Sequence, residues 1–281
     1  MELFKFRNLT EFKKYLDSVW DERFQIESSI SKELIDNKKW KLKGFCELCG
    51  KPSNFEIKWN PKTEQYPNFR ESLKCEHCKQ NNRSRFMLSF LKKLLTELNS
   101  DSTLYMYEQI TDVFNYVKKN NNRLNLIGSE FLGNDKKSGE IYDNIRHEDA
   151  LNLSFDDESI NIIVSNDVFE HVPDIHKAIS EAFRVLKKTG TLLFSIPFHQ
   201  DDDETVQRAV LENGQIKNLL PEVYHGNPLS KKGSLVFYDF GWDFLNFFKS
   251  AGFSDAYMLG YYSKDLGYLG YALQYIFVTK K

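Results

Sequence analysis

The sequence predicts an α/β fold: a doubly wound, mainly parallel sheet behind a small metal-held segment. Residues 160–198 carry the first signal. Ile160, Ile162, Ile163 and Val164 form a short apolar run dense in β-branched residues, the pattern of a strand buried on both faces. Pro173 and Asp174 then open a helix in which Ile175, Ala178, Ile179, Ala182, Phe183, Val185 and Leu186 recur at helical spacing. Lys187 and Lys188 suit the negative end of that helix, Gly190 is expected to end it, and a second buried strand follows over 191–196. Strand, helix and strand make a parallel βαβ unit. Ligands of such sheets bind beyond the carboxyl ends of the strands, here at 165–171 and 197–199. The second signal is a pair of knuckles, Cys46-Glu-Leu-Cys49 and Cys75-Glu-His-Cys78. The third is a charge split. The first 100 residues carry 20 Lys and Arg against 14 Asp and Glu, and the rest carry 18 against 26, so two units with different surfaces are expected, 1–100 and 101–281.

A chain of 281 residues holds one large domain, or an ordinary domain plus a small one. With 41% hydrophobic and 28% charged residues the composition is that of a globular protein. No run of 18 apolar residues spans a membrane, and the charged, helically patterned N-terminus is no signal peptide, so a cytoplasmic location is expected. The acidic second unit argues against broad binding of a phosphate backbone.

Residues 8–37 read as one long helix or two shorter ones. Asn8 and Glu11 are placed to cap it, and Phe12, Tyr15, Leu16 and Val19 form an apolar stripe continued by Ile26, Ile30 and Leu34. Such a helix is a packing arm, a homodimer contact or a lid. In the knuckles, a two-residue gap lets two thiolates grip one ion, and two such knuckles complete a tetrahedron. Cys46, Cys49, Cys75 and Cys78 therefore predict a structural zinc site in a zinc-ribbon-like segment, with His77 as a weaker rival ligand. Phe55, Ile57 and Trp59 alternate as in a strand, and Asn60-Pro61 marks a turn. Arg83 and Arg85 precede a helix over 86–98; they suit a phosphate or carboxylate ligand, a solvated helix start, or acidic groups of the second unit. Residues 99–102 read as the linker.

Strands are expected over 104–107, 124–127 and 141–147, with a helix through Val113, Phe114 and Val117. A helix over 242–251 and strands over 256–262 and 271–278 close the sheet, the many tyrosines there lying on sheet faces.

Five elements together resemble class I S-adenosylmethionine-dependent methyltransferases, particularly the small-molecule type often called type 11. They are Asp149-Ala150-Leu151, the Ser-Phe-Asp-Asp-Glu-Ser-Ile lead-in at 154–160, Ser165-Asn166-Asp167, Glu170-His171-Val172, and Phe183-Arg184-Val185-Leu186. The resemblance covers about 103–281 and is strongest at 147–198. It implies a Rossmann-like mixed sheet and S-adenosylmethionine as cofactor. It also implies an acidic residue and a glycine-rich turn after the first strand. This chain has Glu108 and Thr111 there, and no glycine from 101 to 127. At the second strand end a carboxylate, Glu130, would accept the ribose hydroxyls, or be an exposed loop glutamate. Phe131 and Leu132 would flank the adenine. Asp149, beside Ala150, would accept the adenine amino N–H, or cap a helix. Asn166 and Asp167 would face the sulfonium and the substrate, and His171 would brace its loop or act in acid–base work.

An insertion around 199–240 carries His199, the acid run 201–204 and Tyr224-His225-Gly226-Asn227-Pro228. It resembles a stretch of bacterial methyltransferase-like proteins that also carry an N-terminal double knuckle. His199 or His225 would serve as the base, with Asp167 as orienter. The leading expectation is methyl transfer to oxygen or nitrogen of a small polar molecule, such as a bacterial sugar or nucleotide-sugar. Two alternatives stand beside it. One is an RNA-directed methyltransferase, disfavoured because no Asn-Pro-Pro-Tyr type motif is present and aromatics do not interleave with a basic stripe. The other is a methyltransferase-like binding module that has lost its cofactor.

Overall fold

The computed structural model describes residues 1–281 apart from 38, 39, 60, 61, 63, 65 and 122, so the Asn60-Pro61 turn lies outside the described residues. The chain opens on a strand, β1 (Glu2–Phe6), and one long helix, α1 (Leu9–Asn37). Asn8 Oδ1 accepts from the Glu11 amide at 2.9 Å, and the Glu11 carboxylate accepts from the Arg7 amide at 2.9 Å, which satisfies donors at the helix start. β2 (Lys41–Cys46), β3 (Lys51–Glu56) and β4 (Lys74–Cys75) make a small antiparallel sheet, and α2 (Asn82–Leu95) leaves it. β5 (Thr103–Met106), α3 (Asp112–Asn120), β6 (Asn125–Gly128), the short β7 (Ile141–Tyr142) and β8 (Ile145–Arg146), β9 (Ile160–Asn166), α4 (Ile175–Val185) and β10 (Leu186–Ser195) follow. The insertion is built of β11 (Val206–Gln207), β12 (Ala209–Glu212), β13 (Gln215–Asn218), β14 (Tyr224–Asn227), β15 (Ser230–Leu235) and β16 (Tyr238–Asp239). α5 (Phe244–Ser250), β17 (Asp255–Tyr262) and β18 (Gln274–Lys280) close the chain.

Seven strands form one mixed sheet in the order β1-β17-β18-β10-β9-β5-β6. β10, β9, β5 and β6 are parallel, and β18, β17 and β1 each run antiparallel to the strand before them. This is the expected Rossmann-like α/β sheet. Its centre is apolar on both faces: Tyr105, Ile163, Val164, Leu192, Leu193 and Phe194 are fully buried. Phe194 stacks on Phe277 of the neighbouring strand and on Phe248 of α5, each at 5.1 Å between ring centroids.

Two expectations need correction. First, α4 ends at Val185, not at Gly190. Leu186 is fully buried and pairs with Ile160, so it joins β10, and the register slips between Leu186 and Thr191. Capping by Lys187 and Lys188 is replaced by the last residue of the chain: Lys281 Nζ donates to the carbonyls of Phe183 and Leu186, at 2.7 Å each. Second, residues 141–147 do not form a third parallel strand. Asp143 and Asn144 take φ of 48° and 65°, which turns the segment into the β7–β8 hairpin. A single parallel bridge, Glu130 to His147, remains at that edge.

The first 100 residues pack closely on the rest. β1 pairs along the whole of its length with β17 at the sheet edge. α1 is a packing arm against the closing strands: Phe12 meets Phe6 and Trp242, each at 5.4 Å, and Arg23 Nη1 donates to the Ala272 carbonyl at 2.7 Å. From α2, Arg85 donates to the carbonyls of Leu266 and Gly267 at 2.8 and 2.6 Å, and Asn82 to that of Leu269 at 2.7 Å. Among the described residues no helix is long and apolar enough to cross a membrane.

α1 also carries a buried carboxyl, Glu27, whose Oε1 accepts from the Gly270 amide at 2.8 Å. Burial raises its pKa to about 7, against the opposing pull of the 270–272 amides. Its protonated form is thus favoured in the folded state, so this site's contribution to stability is full below about pH 4.5 and is lost as pH rises through about 7. Glu27→Gln is expected to raise stability at pH 8 by up to about 3 kcal/mol and to change it little at pH 4.5, checked by thermal melts at the two pH values.

Candidate functional site

The four knuckle cysteines converge. Their sulfurs lie within 4.8 Å of one another, with Cys46 to Cys78 at 4.0 Å and Cys49 to Cys75 at 3.9 Å. A tetrahedron with metal–sulfur bonds of about 2.3 Å has edges of about 3.8 Å, so the cage fits a tetrahedral zinc-sized ion. Each knuckle closes by a tight turn: the Gly50 amide donates to the Cys46 carbonyl at 2.8 Å and the Lys79 amide to that of Cys75 at 3.0 Å. Gly50 and Lys79 take φ of 68° and 61° to do so. His77 points elsewhere, its Nε2 lying 3.2 Å from the Pro52 carbonyl. This removes it as a rival ligand.

The cysteine segment also reaches the sheet. Arg83, at the start of α2, lies over the carboxyl ends of β9 and β10. Its Nη1 donates to Asp167 Oδ2 at 2.6 Å and to Ser195 Oγ at 2.7 Å, and its Nε lies 3.3 Å from Glu71. Burial opposes the guanidinium charge, and Asp167 and Glu71 more than offset it. Of the readings open in the sequence, Arg83 thus follows the one in which it binds an acidic group of the second unit. Asp167, expected to orient a substrate, is held by Arg83 instead, with a backbone φ of 53°. Ser195 Oγ extends the network to Asn166 Oδ1 at 3.1 Å, and Asn166 Nδ2 donates to Glu108 Oε1 at 2.6 Å. Thr111, which caps α3, donates its hydroxyl to Glu108 Oε2. Glu108, Thr111 and Asn166, expected to touch the cofactor, therefore bond to one another. Burial raises the Glu108 pKa, with Thr111 and Asn166 opposing it, and no cation contacts the carboxylate among the described residues.

The neighbouring edge is less committed. Glu130 Oε1 accepts from the amides of Gln109 and Ile110 at 2.7 and 3.1 Å, tying the end of β6 to the turn after β5. Its Oε2 makes no hydrogen bond among the described residues. Burial pushes the Glu130 pKa up, against those two amides. Phe131, next along, is 54% exposed, and its ring lies 5.5 Å from that of His147. Asp149 Oδ1 accepts from the Leu151 amide at 2.9 Å, a local turn that leaves Oδ2 without a partner among the described residues, and Ala150 is buried behind it.

The insertion covers the β9–α4 loop. The Phe237 amide donates to the Glu170 carbonyl at 2.7 Å, and the His171 ring Nδ1 lies 2.8 Å from the Leu235 carbonyl. The β14–β15 hairpin carries His225 to that loop, with its ring 5.2 Å from that of His171. His199 sits between Asp202 and Asp239, at 3.7 and 3.8 Å, with half its side chain exposed. His199 follows β10 and His225 faces the turn after β9, so both insertion histidines lie beyond the carboxyl ends of those strands. Ser195, Glu71 and Asp239 escaped the sequence reading, and no local pattern marks them; Glu170 was legible only as part of the Glu170-His171-Val172 loop, with no sign that its carboxyl is buried.

Residues 113–194 match the family model described as "Methyltransferase domain". No curated protein matches the chain. Among solved structures it is similar to an S-adenosylmethionine dependent methyltransferase from Mesorhizobium loti, at 11% identity and a TM-score of 0.39, over 69% of this chain and 97% of that one. It is also similar to the 1,6-didemethyltoxoflavin-N1-methyltransferase of Burkholderia thailandensis, at 11% identity and a TM-score of 0.38, over 69% and 77% of the two chains.

The Arg83–Asp167 contact makes a direct stability prediction. Arg83→Met leaves a carboxylate facing Ser195 without its cation and is expected to cost on the order of 3 kcal/mol in urea unfolding; the double change with Asp167→Asn is expected to recover a large part of that loss.

Proposed function

We propose, from the premise that residues 113–194 form a methyltransferase domain, that this chain methylates an oxygen or nitrogen of a small polar molecule, of the sugar or nucleotide-sugar class. The observation that carries the proposal is the acidic edge beyond β6: Glu130 and Asp149 each keep one oxygen without a hydrogen bond among the described residues, and the exposed Phe131 lies between them in sequence.

That edge suits an adenosine. A free carboxylate oxygen accepts the hydrogens of vicinal ribose hydroxyls, Phe131 and Ala150 offer apolar contacts to a purine face, and Asp149 accepts an amino N–H. S-adenosylmethionine, when bound, supplies an activated methyl group on a sulfonium. Glu108, a buried carboxylate without a cation, is the complement for the methionine ammonium, and Thr111 orients it. The missing glycine turn is thereby replaced by a charge partner. His199 lies at the solvent side of the strand ends, held between Asp202 and Asp239, and is the group we assign to accept the acceptor's proton. The carboxylates beside His199 favour a small acceptor over a nucleic-acid backbone.

The four cysteines are read as a structural zinc site. Four protein ligands leave no position for substrate, and the metal would hold the small sheet from which Arg83 reaches β9 and β10.

Three measurements test these assignments. Calorimetric titration is expected to give binding of S-adenosylmethionine and S-adenosylhomocysteine, weakened at least about tenfold by Glu130→Ala; no heat with either ligand overturns the methyl-transfer reading. His199→Asn is expected to keep that affinity while lowering turnover by about a hundredfold or more. For the cysteines, a strong chelator is expected to lower the melting temperature of the whole chain, because the cysteine segment shares the core of the sheet; an unchanged melt contradicts a structural metal.

A further inference from the structure

Glu170 has an environment that neither the sheet nor the expected chemistry explains. It is fully buried, in the turn after β9, and neither of its carboxylate oxygens has a hydrogen-bond partner among the described residues. A buried carboxylate in that condition is costly unless a cation completes it. Two imidazoles face it. His171 Nε2 lies 3.6 Å and His225 Nδ1 3.5 Å from Glu170 Oε1, too far for hydrogen bonds, and the three ligand atoms all lie within 4.8 Å of one another.

These spacings suit a shared ion. Two bonds of about 2.0–2.2 Å at a tetrahedral angle span about 3.3–3.6 Å. The tautomer is also set. His171 Nδ1 is 2.8 Å from the Leu235 carbonyl, which can only accept, so Nδ1 carries the hydrogen, and in the neutral ring that leaves the Nε2 lone pair on the side of Glu170. A backbone carbonyl on the far nitrogen is the usual support for a metal-binding histidine. Glu170 and His171 come from the βαβ unit, whereas His225 is delivered by the insertion hairpin, which docks on the same turn through the Phe237 amide.

We infer that Glu170, His171 and His225 form a second metal site, for a divalent first-row transition ion such as zinc or iron(II). Two imidazoles and one carboxylate are a ligand set for such ions, and three protein ligands leave at least one position for water or an oxygen of a bound molecule. The site is distinct from the cysteine cage in chemistry: it has no sulfur, and its His225 side is partly open to solvent. It stands on these three side chains and not on the methyl-transfer reading.

Cobalt(II) distinguishes the two sites, because thiolate ligands give intense charge-transfer absorption and imidazole–carboxylate ligands give only weak ligand-field bands. The full-length chain, freed of metal and titrated with cobalt(II) under reducing conditions, is expected to take two equivalents, one with thiolate bands and one without. His225→Ala, on an exposed hairpin where folding is least at risk, is expected to weaken the second equivalent at least about tenfold while the thiolate bands stay unchanged. Glu170→Gln is expected to do the same, with circular dichroism reporting its fold. A wild-type chain that takes no sulfur-free equivalent, or one whose sulfur-free equivalent survives His225→Ala at full affinity, overturns the inference. Loss of the thiolate bands alone would instead remove the cysteine-site reading and leave this one standing.

Discussion

The buried charge of Arg83 is the constraint on which the arrangement depends. A guanidinium over the carboxyl ends of β9 and β10 is tolerable only because Asp167 and Glu71 flank it and Ser195 accepts a further hydrogen bond. That pairing fixes the cysteine segment against the sheet. It also fixes what Asp167, Ser195 and Asn166 can do, since each is committed to the same network. The consequence is a redistribution of roles: the middle strands supply rigidity, the β6 edge keeps free oxygens, and the insertion supplies the histidines.

The absent glycine turn fits the same logic. A glycine-rich bend lets a ligand approach the backbone closely. Here Glu130 holds the amides of Gln109 and Ile110 from the neighbouring strand, and Glu108 fills the space beside them with its own partners. The turn is shaped by side-chain hydrogen bonds in place of conformational freedom. What this leaves at the turn is two carboxyl groups whose pKa values burial raises.

Much of this was legible in the sequence wherever the cause was local. The β9–α4–β10 unit follows from apolar periodicity, and the cysteine cage from two short spacings. The end of α4 was not legible, because the group that caps it, Lys281, lies at the far end of the chain. The third strand failed for a different reason: Asp143 and Asn144 tolerate the left-handed backbone of a tight turn, and that preference outweighed a short alternating pattern. Nor could spacing pair Arg83 with Asp167, or bring His225 to Glu170, since both contacts join distant segments through tertiary packing. His225 was visible as a titratable ring in a turn-rich insertion and Glu170 with His171 as a loop after the strand, but the burial of the Glu170 carboxyl between the two rings depends on how the insertion folds back.

A crystal structure of the chain grown with S-adenosylhomocysteine tests the central claim most directly. The account predicts density for the nucleoside along the β6 edge, with ribose oxygens on Glu130, the purine against Phe131 and Ala150, and an ammonium facing Glu108. An empty edge at saturating ligand, with Glu130 and Glu108 keeping only their present partners, would contradict it.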